Sequence, residues 1–303
     1  ADQIDRLIPT HTAVAQSLAV ELLSALKQKA IRQKIILIVQ KLITPDNAID
    51  IANTLIRSLQ AQAELRSNEN EKNEAVTFIR LILSTMRIIA ASQPLSIKTI
   101  YNGVNTMITD ADPQIAFDTM EIIRDAVHSS PELRETITLH LENLISSIRS
   151  PSVIRMALYL ISLYTTNPDS VDALCDAFAE EETQQGGGID TTTVVLKDGT
   201  YVQKTHVEAT DEYPSLASFL CKEPFLVSAL SISLARICMR LPQANSSRAI
   251  DFIKSVIVKS KVDNELNRIG FALNALSNLD NDQARDVLFK YSEEAFNSFV
   301  DRQ

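Results

Sequence analysis

The sequence predicts an all-α fold built from short helices that stack in pairs. Three observations support this prediction: glycine is scarce, prolines recur at a regular interval, and apolar residues between them follow a helical spacing. Only six glycines occur in 303 residues, where average usage of about 7% would give roughly twenty-one. A fold rich in β-turns needs residues that tolerate positive φ, so the scarcity of glycine favours helices joined by short turns.

Prolines mark the expected first turns of the helices. Each follows a polar residue, at Thr44-Pro45, Gln93-Pro94, Asp112-Pro113, Ser130-Pro131, Ser150-Pro151 and Asn167-Pro168. Proline suits this position because its missing N–H would be unpaired there and its φ is already helical. From Pro94 onward, two proline steps span 37 or 38 residues, close to the roughly 40-residue period of HEAT-like helix pairs. The predicted architecture is therefore an α-solenoid of HEAT/armadillo-like helix pairs.

Apolar residues between the prolines step by three and four along the chain, which places them on one face of a helix. Two of these series are Val76, Ile79, Leu83, Met86 and Ala90, and Val262, Leu266, Ile269, Leu273 and Leu276. A long coiled coil is the competing interpretation, but helices interrupted about every 20 residues do not suit a continuous heptad seam. Ser129 and Glu132 have the spacing of a capping box, which predicts a helix start between them.

One acidic segment interrupts the helical pattern and divides the chain into three parts. Residues 184–213 are predicted to form an acidic loop and a β-hairpin, inserted between an α-solenoid over 1–183 and its continuation over 214–303. Between Asp169 and Glu223 lie 12 of the 38 acidic residues and three of the 29 lysines and arginines, which by itself accounts for the net charge of −9. The remainder is neutral and has no basic stripe, so nucleic-acid binding is not expected.

The hairpin is predicted at 193–205, where two β-branched runs flank Asp198-Gly199. Both central positions of a type I′ turn favour positive φ, which Asp-Gly supplies. Because a lone hairpin is marginally stable in water, it either packs on its own solenoid or binds a partner subunit. If it binds a partner, the candidate contact residues are Val194, Leu196, Tyr201 and Val202.

No pattern in the sequence indicates catalysis, a cofactor or a metal. The spacing of the histidines matches no metal motif, whether they pair with one another or with cysteine. They are His11, His128, His140 and His206. Known nucleophile, metalloprotease and phosphate-loop motifs do not occur. We therefore predict a protein that is not an enzyme and has no catalytic, cofactor-binding or metal-binding residues.

The cysteines and the apolar runs indicate a cytoplasmic setting. Cys175, Cys221 and Cys238 lie in apolar helical runs, which predicts reduced, buried thiols. No signal peptide is recognisable, and no apolar run approaches the ~18 residues needed to span a bilayer. The chain does not begin with methionine and starts within a helical pattern, which suggests a fragment of a longer polypeptide.

Two basic clusters are candidate sites for anionic lipid. They are Lys27, Lys29, Arg32 and Lys34, and Lys254, Lys259 and Lys261. Basic residues near a membrane surface attract anionic head groups. Their spread around the helix instead favours solvated helix faces.

Several stretches follow the order of a known family. Phe117–Ala126 resembles a family helix of the type AxVLEFVREA, and Ile148–Tyr164 resembles IKSxxIYRGALWILGEY. Asp198–Tyr201 is similar to the family's GTYATQ strand, and Pro214–Leu241 to the aromatic-led helix that follows it. From about residue 70 onward, the chain thus resembles the adaptin-like trunk of the β subunit of coatomer, the COPI vesicle coat. Lys222-Glu223-Pro224 in place of the family's Gly-Asp indicates a divergent member.

The resemblance implies a right-handed HEAT-like trunk that acts as a structural subunit of the COPI coat, in Golgi-to-ER and intra-Golgi protein transport. The implied partners are other coatomer subunits, especially the delta subunit, and an Arf-family GTPase. The family's GTPase contact lies nearer its N-terminus, so the resemblance implies no GTPase-binding residue in this sequence. The implied location is cytoplasmic, and peripheral on Golgi membrane and COPI-coated vesicles.

Two alternatives remain at this point. One is another HEAT-repeat scaffold, such as a nuclear-transport receptor or a phosphatase regulatory subunit, which would not share the order of hairpin and aromatic-led helix. The other is an enzyme with an unfamiliar site, which would show a concave pocket with converging polar groups and shifted pKa values.

Overall fold

The computed structural model describes residues 10–65, 72–179, 190–195, 201–206, 216–260 and 262–291. The chain divides into two compact units, Ala1–Pro168 and Asp169–Gln303. Helices account for most of the described residues of both units, so the prediction of an all-α class is confirmed.

Nine α-helices are described in the first unit, many of them preceded or followed by a short 3₁₀ turn. The helices are α1 (Thr12–Ser17), α2 (Ala19–Leu23), α3 (Arg32–Gln40), α4 (Ala48–Leu65), α5 (Lys72–Ser92), α6 (Ile97–Val104), α7 (Pro113–Ser129), α8 (Arg134–Leu144) and α9 (Pro151–Tyr164). The 3₁₀ turns are Ser24–Lys27, Lys29–Ile31, Pro94–Ser96, Asn105–Thr109, Pro131–Leu133 and Ile145–Ser147.

Prolines begin several of these elements, as predicted. Pro113 and Pro151 occupy the first positions of α7 and α9, whereas Pro94 and Pro131 open the 3₁₀ turns that lead into α6 and α8. At α7, the Asp112 carboxylate accepts hydrogen bonds from the backbone N–H groups of the first turn, which satisfies donors that have no intrahelical partner.

The predicted capping box at Ser129 is wrong. Ser129 is the last residue of α7, and its hydroxyl donates to the Asp125 carbonyl at 2.7 Å. Ser130, with φ −128° and ψ 87°, is the C-cap of α7 and also the N-cap of the 3₁₀ turn Pro131–Leu133. A residue before proline is disfavoured in the α conformation, and Pro131 follows.

Many helices of the first unit pack on the next helix but one along the chain. α3 contacts α5, α5 contacts α7 and α7 contacts α9, while α2 contacts α4 and α4 contacts α6. The direction of these helices follows from the side chains that meet. Arg32 and Gln40 of α3 contact Glu74 and Thr85 of α5 in the same chain order. α3 and α5 therefore run parallel.

The second unit is centred on its longest described helix. Its elements are α10 (Ser170–Ala179), β1 (Asp190–Val195), β2 (Tyr201–His206), α11 (Leu216–Lys222), α12 (Pro224–Arg240), α13 (Ser246–Lys259), a 3₁₀ turn (Asp263–Glu265), α14 (Leu266–Ser277), α15 (Asp282–Asp286) and a π-helical turn (Val287–Tyr291). α12 packs against α10, α11, α13 and α14. Its Arg236 is 3% exposed and donates from Nε to the Leu288 carbonyl at 2.7 Å, which docks the π-helical turn on α12.

The predicted apolar faces agree with burial in α5 but not throughout α14. Ile79, Leu83 and Met86 of α5 are fully or almost fully buried. In α14, Ile269 and Leu276 are buried, but Leu266 is 46% exposed, so the prediction for Leu266 is wrong.

One described helix, α5, is long and apolar enough to cross a membrane by length and composition, with a mean hydropathy of 1.5 over an 18-residue window. α11 and α12 pass the same test only as a pair bent by 116°. The prediction that no apolar stretch approaches this length is therefore wrong. Half of the α5 window is buried, and the helix packs on α3, α4 and α7. These are the contacts of a core helix, which meets the same criteria.

Candidate interaction surfaces

The two strands around the predicted hairpin pair antiparallel. Val194 lies opposite Val202, and Val195 lies opposite Tyr201. Three of the four candidate contact residues, Val194, Tyr201 and Val202, thus occupy neighbouring positions of one ladder. Leu196 and the Asp198-Gly199 turn lie outside the described residues.

A ladder of ion pairs joins α5 to α7 and was not predicted from the sequence. Arg80 Nε lies 2.7 Å from Asp118 Oδ2. About two helical turns further on, Arg87 lies 2.7 Å from a Glu121 oxygen and 2.8 Å from an Asp125 oxygen. Both arginine–aspartate pairs join residues 38 positions apart, and their order shows that α5 and α7 also run parallel.

Burial sets the electrostatics of this α5–α7 ion-pair ladder. It raises the pKa of the Glu121 carboxyl, although the positive charges of Arg87 and Arg124 act in the opposite direction. Burial alone would lower the pKa of Arg87, but the charges of Asp125 and Glu121 raise it above its ordinary value. Arg124 completes the set with a 2.7 Å contact to Asp125. The three arginines and three carboxylates balance in formal charge.

A second polar contact joins α6 to α8. The Tyr101 hydroxyl and His140 Nδ1 are 3.0 Å apart, across 39 residues of sequence. Burial lowers the pKa of His140 and raises that of Tyr101, so both groups are neutral at neutral pH. This separation is one residue longer than that of the arginine–aspartate pairs between α5 and α7, so contacts about one repeat apart occur in both rows of helices.

The cysteines differ in environment. Cys175 and Cys238 are buried, and burial raises the pKa of each thiol to about 12. Cys221 is exposed, so the prediction that all three thiols are buried is wrong for this residue. It lies near the end of α11, where the buried face is formed by Leu216, Phe219 and Leu220.

Cys221 borders a cleft of about 330 Å³ in the second unit. α10, α11 and α13 line it, with Phe178, Leu220, Phe252, Val256 and Lys259 among the contributing side chains. The described residues that line this cleft include no histidine and no carboxylate. Among the residues that the structure describes, no group of three His, Cys, Asp or Glu could hold a metal ion.

The basic clusters do not behave alike. Arg32 is buried, its Nε donates to the Leu26 carbonyl at 2.7 Å, and its guanidinium lies 4.8 Å from the centre of the Phe78 ring. It is therefore a structural residue, not part of a solvated face. Lys27, Lys29 and Lys34 are exposed, as are Lys254 and Lys259 of α13. Lys261 lies outside the described residues.

Known proteins similar to this chain are coatomer β subunits. The chain is 23% identical over 286 residues to coatomer subunit beta of Trypanosoma brucei brucei, which covers 81% of this chain and 28% of that protein. It is 22% identical over 284 residues to coatomer subunit beta-2 of Arabidopsis thaliana, with 82% and 29% covered. Coatomer subunit beta of Sus scrofa is 22% identical over 270 residues, with 78% and 28% covered. No family model and no solved structure matches the chain.

These relatives give a distant similarity across most of the chain. The chain spans less than a third of their length. The similarity agrees at this coarse level with the predicted coat-related helical scaffold.

Proposed function

We propose that this chain is a non-enzymatic scaffold segment of a vesicle coat, equivalent to part of the trunk of coatomer β. Its helix pairs would be HEAT/armadillo-like repeats wound in a right-handed sense, interrupted by the insertion at 184–213. The distant similarity to coatomer β subunits of several species supports this proposal most directly.

The packing of the first unit gives physical support. Parallel helices in one row, joined by polar contacts 38 residues apart, suit an array in which each repeat contacts mainly its neighbours. Such an array offers an extended surface for protein partners. The function proposed is therefore geometric and requires no reactive group.

By the same proposal, the partners are other coatomer subunits, in particular the delta subunit, and an Arf-family GTPase acts with the assembled coat. The location would be cytoplasmic, and peripheral on Golgi membrane and COPI-coated vesicles, in Golgi-to-ER and intra-Golgi transport. The hairpin residues Val194, Leu196, Tyr201 and Val202 would contact a partner subunit, since a two-stranded sheet alone is marginally stable.

Co-purification from the source cells tests this proposal. We expect the affinity-tagged chain to recover coatomer subunits, including a delta-like subunit. The double variant Leu196→Ser/Tyr201→Ser should retain less partner if the hairpin is a contact. The matched control is the double variant Leu95→Ser/Val258→Ser, which removes two apolar side chains that are 90% and 87% exposed.

Each outcome decides a separate point. Recovery without any coatomer subunit rejects the coat proposal. Recovery of nuclear-transport cargo or of a phosphatase would support the alternative scaffolds. Equal partner retention by the hairpin variant and the control, with unchanged circular dichroism, rejects only the hairpin contact.

A further inference from the structure

The segment around α3 has a charge opposite to that of the whole chain. Between Leu22 and Pro45 there are four lysines, one arginine and no acidic residue, although the chain as a whole carries −9. We define the α3 basic surface as Lys27, Lys29, Lys34, Leu37 and Lys41. All five are exposed, and Leu37 is 45% exposed.

Helix geometry gathers the α3 residues on one side. At 100° per residue, Lys34, Leu37 and Lys41 fall within an arc of about 60°. The opposite side, formed by Ile35, Ile36, Ile38 and Val39, is buried. The surface is thus a leucine between two lysines on the outward face, with Lys27 and Lys29 in the 3₁₀ turns that precede the helix and contact it.

Arg32 fixes these turns to the helix and does not itself belong to the surface. Its hydrogen bond to the Leu26 carbonyl and its position over the Phe78 ring hold the chain between Lys27 and Lys34 against α5. Glu74 of α5 lies 3.9 Å from Arg32, and Glu21 is exposed on α2. Lys29, Lys34 and Lys41 make interactions of their own and are exposed nonetheless.

We propose that the α3 basic surface binds the head groups of anionic phospholipids at a membrane surface, with Leu37 reaching the boundary of the acyl chains. Clustered lysines at an anionic membrane each contribute attraction, and an exposed apolar side chain among them is the pattern of interfacial membrane contacts. The inference deepens the proposed function, since a coat scaffold works at a membrane, and it rests on that function for its biological setting.

The residue types favour lipid over other anionic partners. The exposed charges are all lysines, which act as point charges, whereas bidentate recognition of carboxylate or phosphate groups on a protein favours arginine. Residues 22–45 contain no aromatic side chain, so the surface lacks the stacking groups with which proteins bind single-stranded nucleic acid. A leucine between the lysines has a role at a bilayer and none on a phosphate backbone.

Vesicle co-sedimentation of the whole chain tests the inference. The probes are phosphatidylcholine vesicles with and without phosphatidylserine, and an oligonucleotide. We expect binding only to the vesicles with phosphatidylserine, and binding that weakens as salt is added. Lys34→Gln/Lys41→Gln should weaken partitioning about 25-fold, at about five-fold for each lysine. Leu37→Ser should weaken it further.

The matched control is Lys254→Gln/Lys259→Gln, which removes two exposed lysines from α13. It should bind as the unaltered chain does. Three results would overturn the inference. The two double variants could lose vesicle binding equally, the unaltered chain could fail to bind anionic vesicles, or the chain could bind the oligonucleotide with the same sensitivity to Lys34→Gln/Lys41→Gln. The vesicle measurement needs no coat subunit. If the chain does not bind vesicles but coatomer subunits still co-purify with it, only the lipid site is rejected. If it binds vesicles but no coatomer subunit co-purifies, only the coat function is rejected.

Discussion

The close approach of α4 and α6 at Gly103 offers a sharp test of the packing in the first unit. A methyl group at Gly103 would stand 2.5 Å from Cγ1 and 3.0 Å from Cγ2 of Ile56, and closer still to Cδ1. Carbon atoms in contact sit about 3.5–4.0 Å apart. Because isoleucine in a helix strongly prefers one χ1 rotamer, Ile56 cannot readily turn all three atoms away, so α4 and α6 must separate.

Two opposing effects set the change in the free energy of unfolding caused by Gly103→Ala. Overpacking of this kind costs about 1–3 kcal/mol, and replacement of a helical glycine by alanine returns about 1 kcal/mol. Gly103→Ala should therefore lower the free energy of unfolding of the first unit by about 1 kcal/mol. Gly270→Ala is the matched control, because no atom lies within 4 Å of a Cβ placed on this α14 residue. It should raise stability by up to about 1 kcal/mol.

Urea unfolding followed by far-UV circular dichroism measures both changes, with the slope of free energy against urea expected to stay constant. Adding Ile56→Ala should cost less in the Gly103→Ala background than in the unaltered chain, since the smaller side chain relieves the clash. If Gly103→Ala stabilises the chain as much as Gly270→Ala does, α4 and α6 are not packed as described.

Two further predictions concern titratable groups. Arg87→Gln should cost about 1–2 kcal/mol at neutral pH by leaving Glu121 and Asp125 without their cation, whereas Arg57→Gln, on an exposed position of α4, should cost almost nothing. Because burial raises the pKa of Glu121 in the folded chain, this carboxyl takes up a proton as pH falls through that pKa, and its charged contact with Arg87 is then lost. The cost of Arg87→Gln should thus be smaller at about pH 4 than at neutral pH, and a pH-independent cost in urea titrations would contradict this. Of the three thiols, only Cys221 should react rapidly with a thiol reagent in the native chain, since a pKa of about 12 leaves Cys175 and Cys238 almost wholly protonated. Rapid reaction of two or three thiols, or of any thiol in Cys221→Ser, would refute this.

The sequence predicted the elements whose causes are local. Pro113 and Pro151 begin helices because the pyrrolidine ring fixes φ and lacks an N–H, whatever the surroundings. The prediction of an N-cap at Ser129 was wrong because Pro131 disfavours the α conformation at Ser130, so the break between α7 and the next helical turn lies at Ser130. The prediction that Cys221 is buried was wrong because an apolar run identifies a helix without showing which of its sides meets the core.

The ion-pair ladder depends on tertiary structure, yet the sequence carries a trace of it. Arg80 and Arg87 are seven residues apart, as are Asp118 and Asp125, and the two sets are offset by 38 residues, one proline-marked repeat. Neither spacing alone predicts contact. Together, the 38-residue repeat and the matched seven-residue spacing of the charged residues predict that the two arginines contact the two aspartates.

These charged contacts act on register more than on stability. Each half-exposed pair contributes about 0–1 kcal/mol, while each fully buried Ile79 or Met86 contributes about 1.5–3 kcal/mol. The apolar residues of α5 recur every three or four positions, so a slide of α5 along α7 by one turn would leave an apolar face matched. The same slide moves Arg80 and Arg87 about 5.4 Å along the helix axis from their carboxylates. The apolar core therefore holds the helices together, and the ion pairs between residues 38 positions apart select one alignment between successive parallel helices. The proposed scaffold function requires such an alignment.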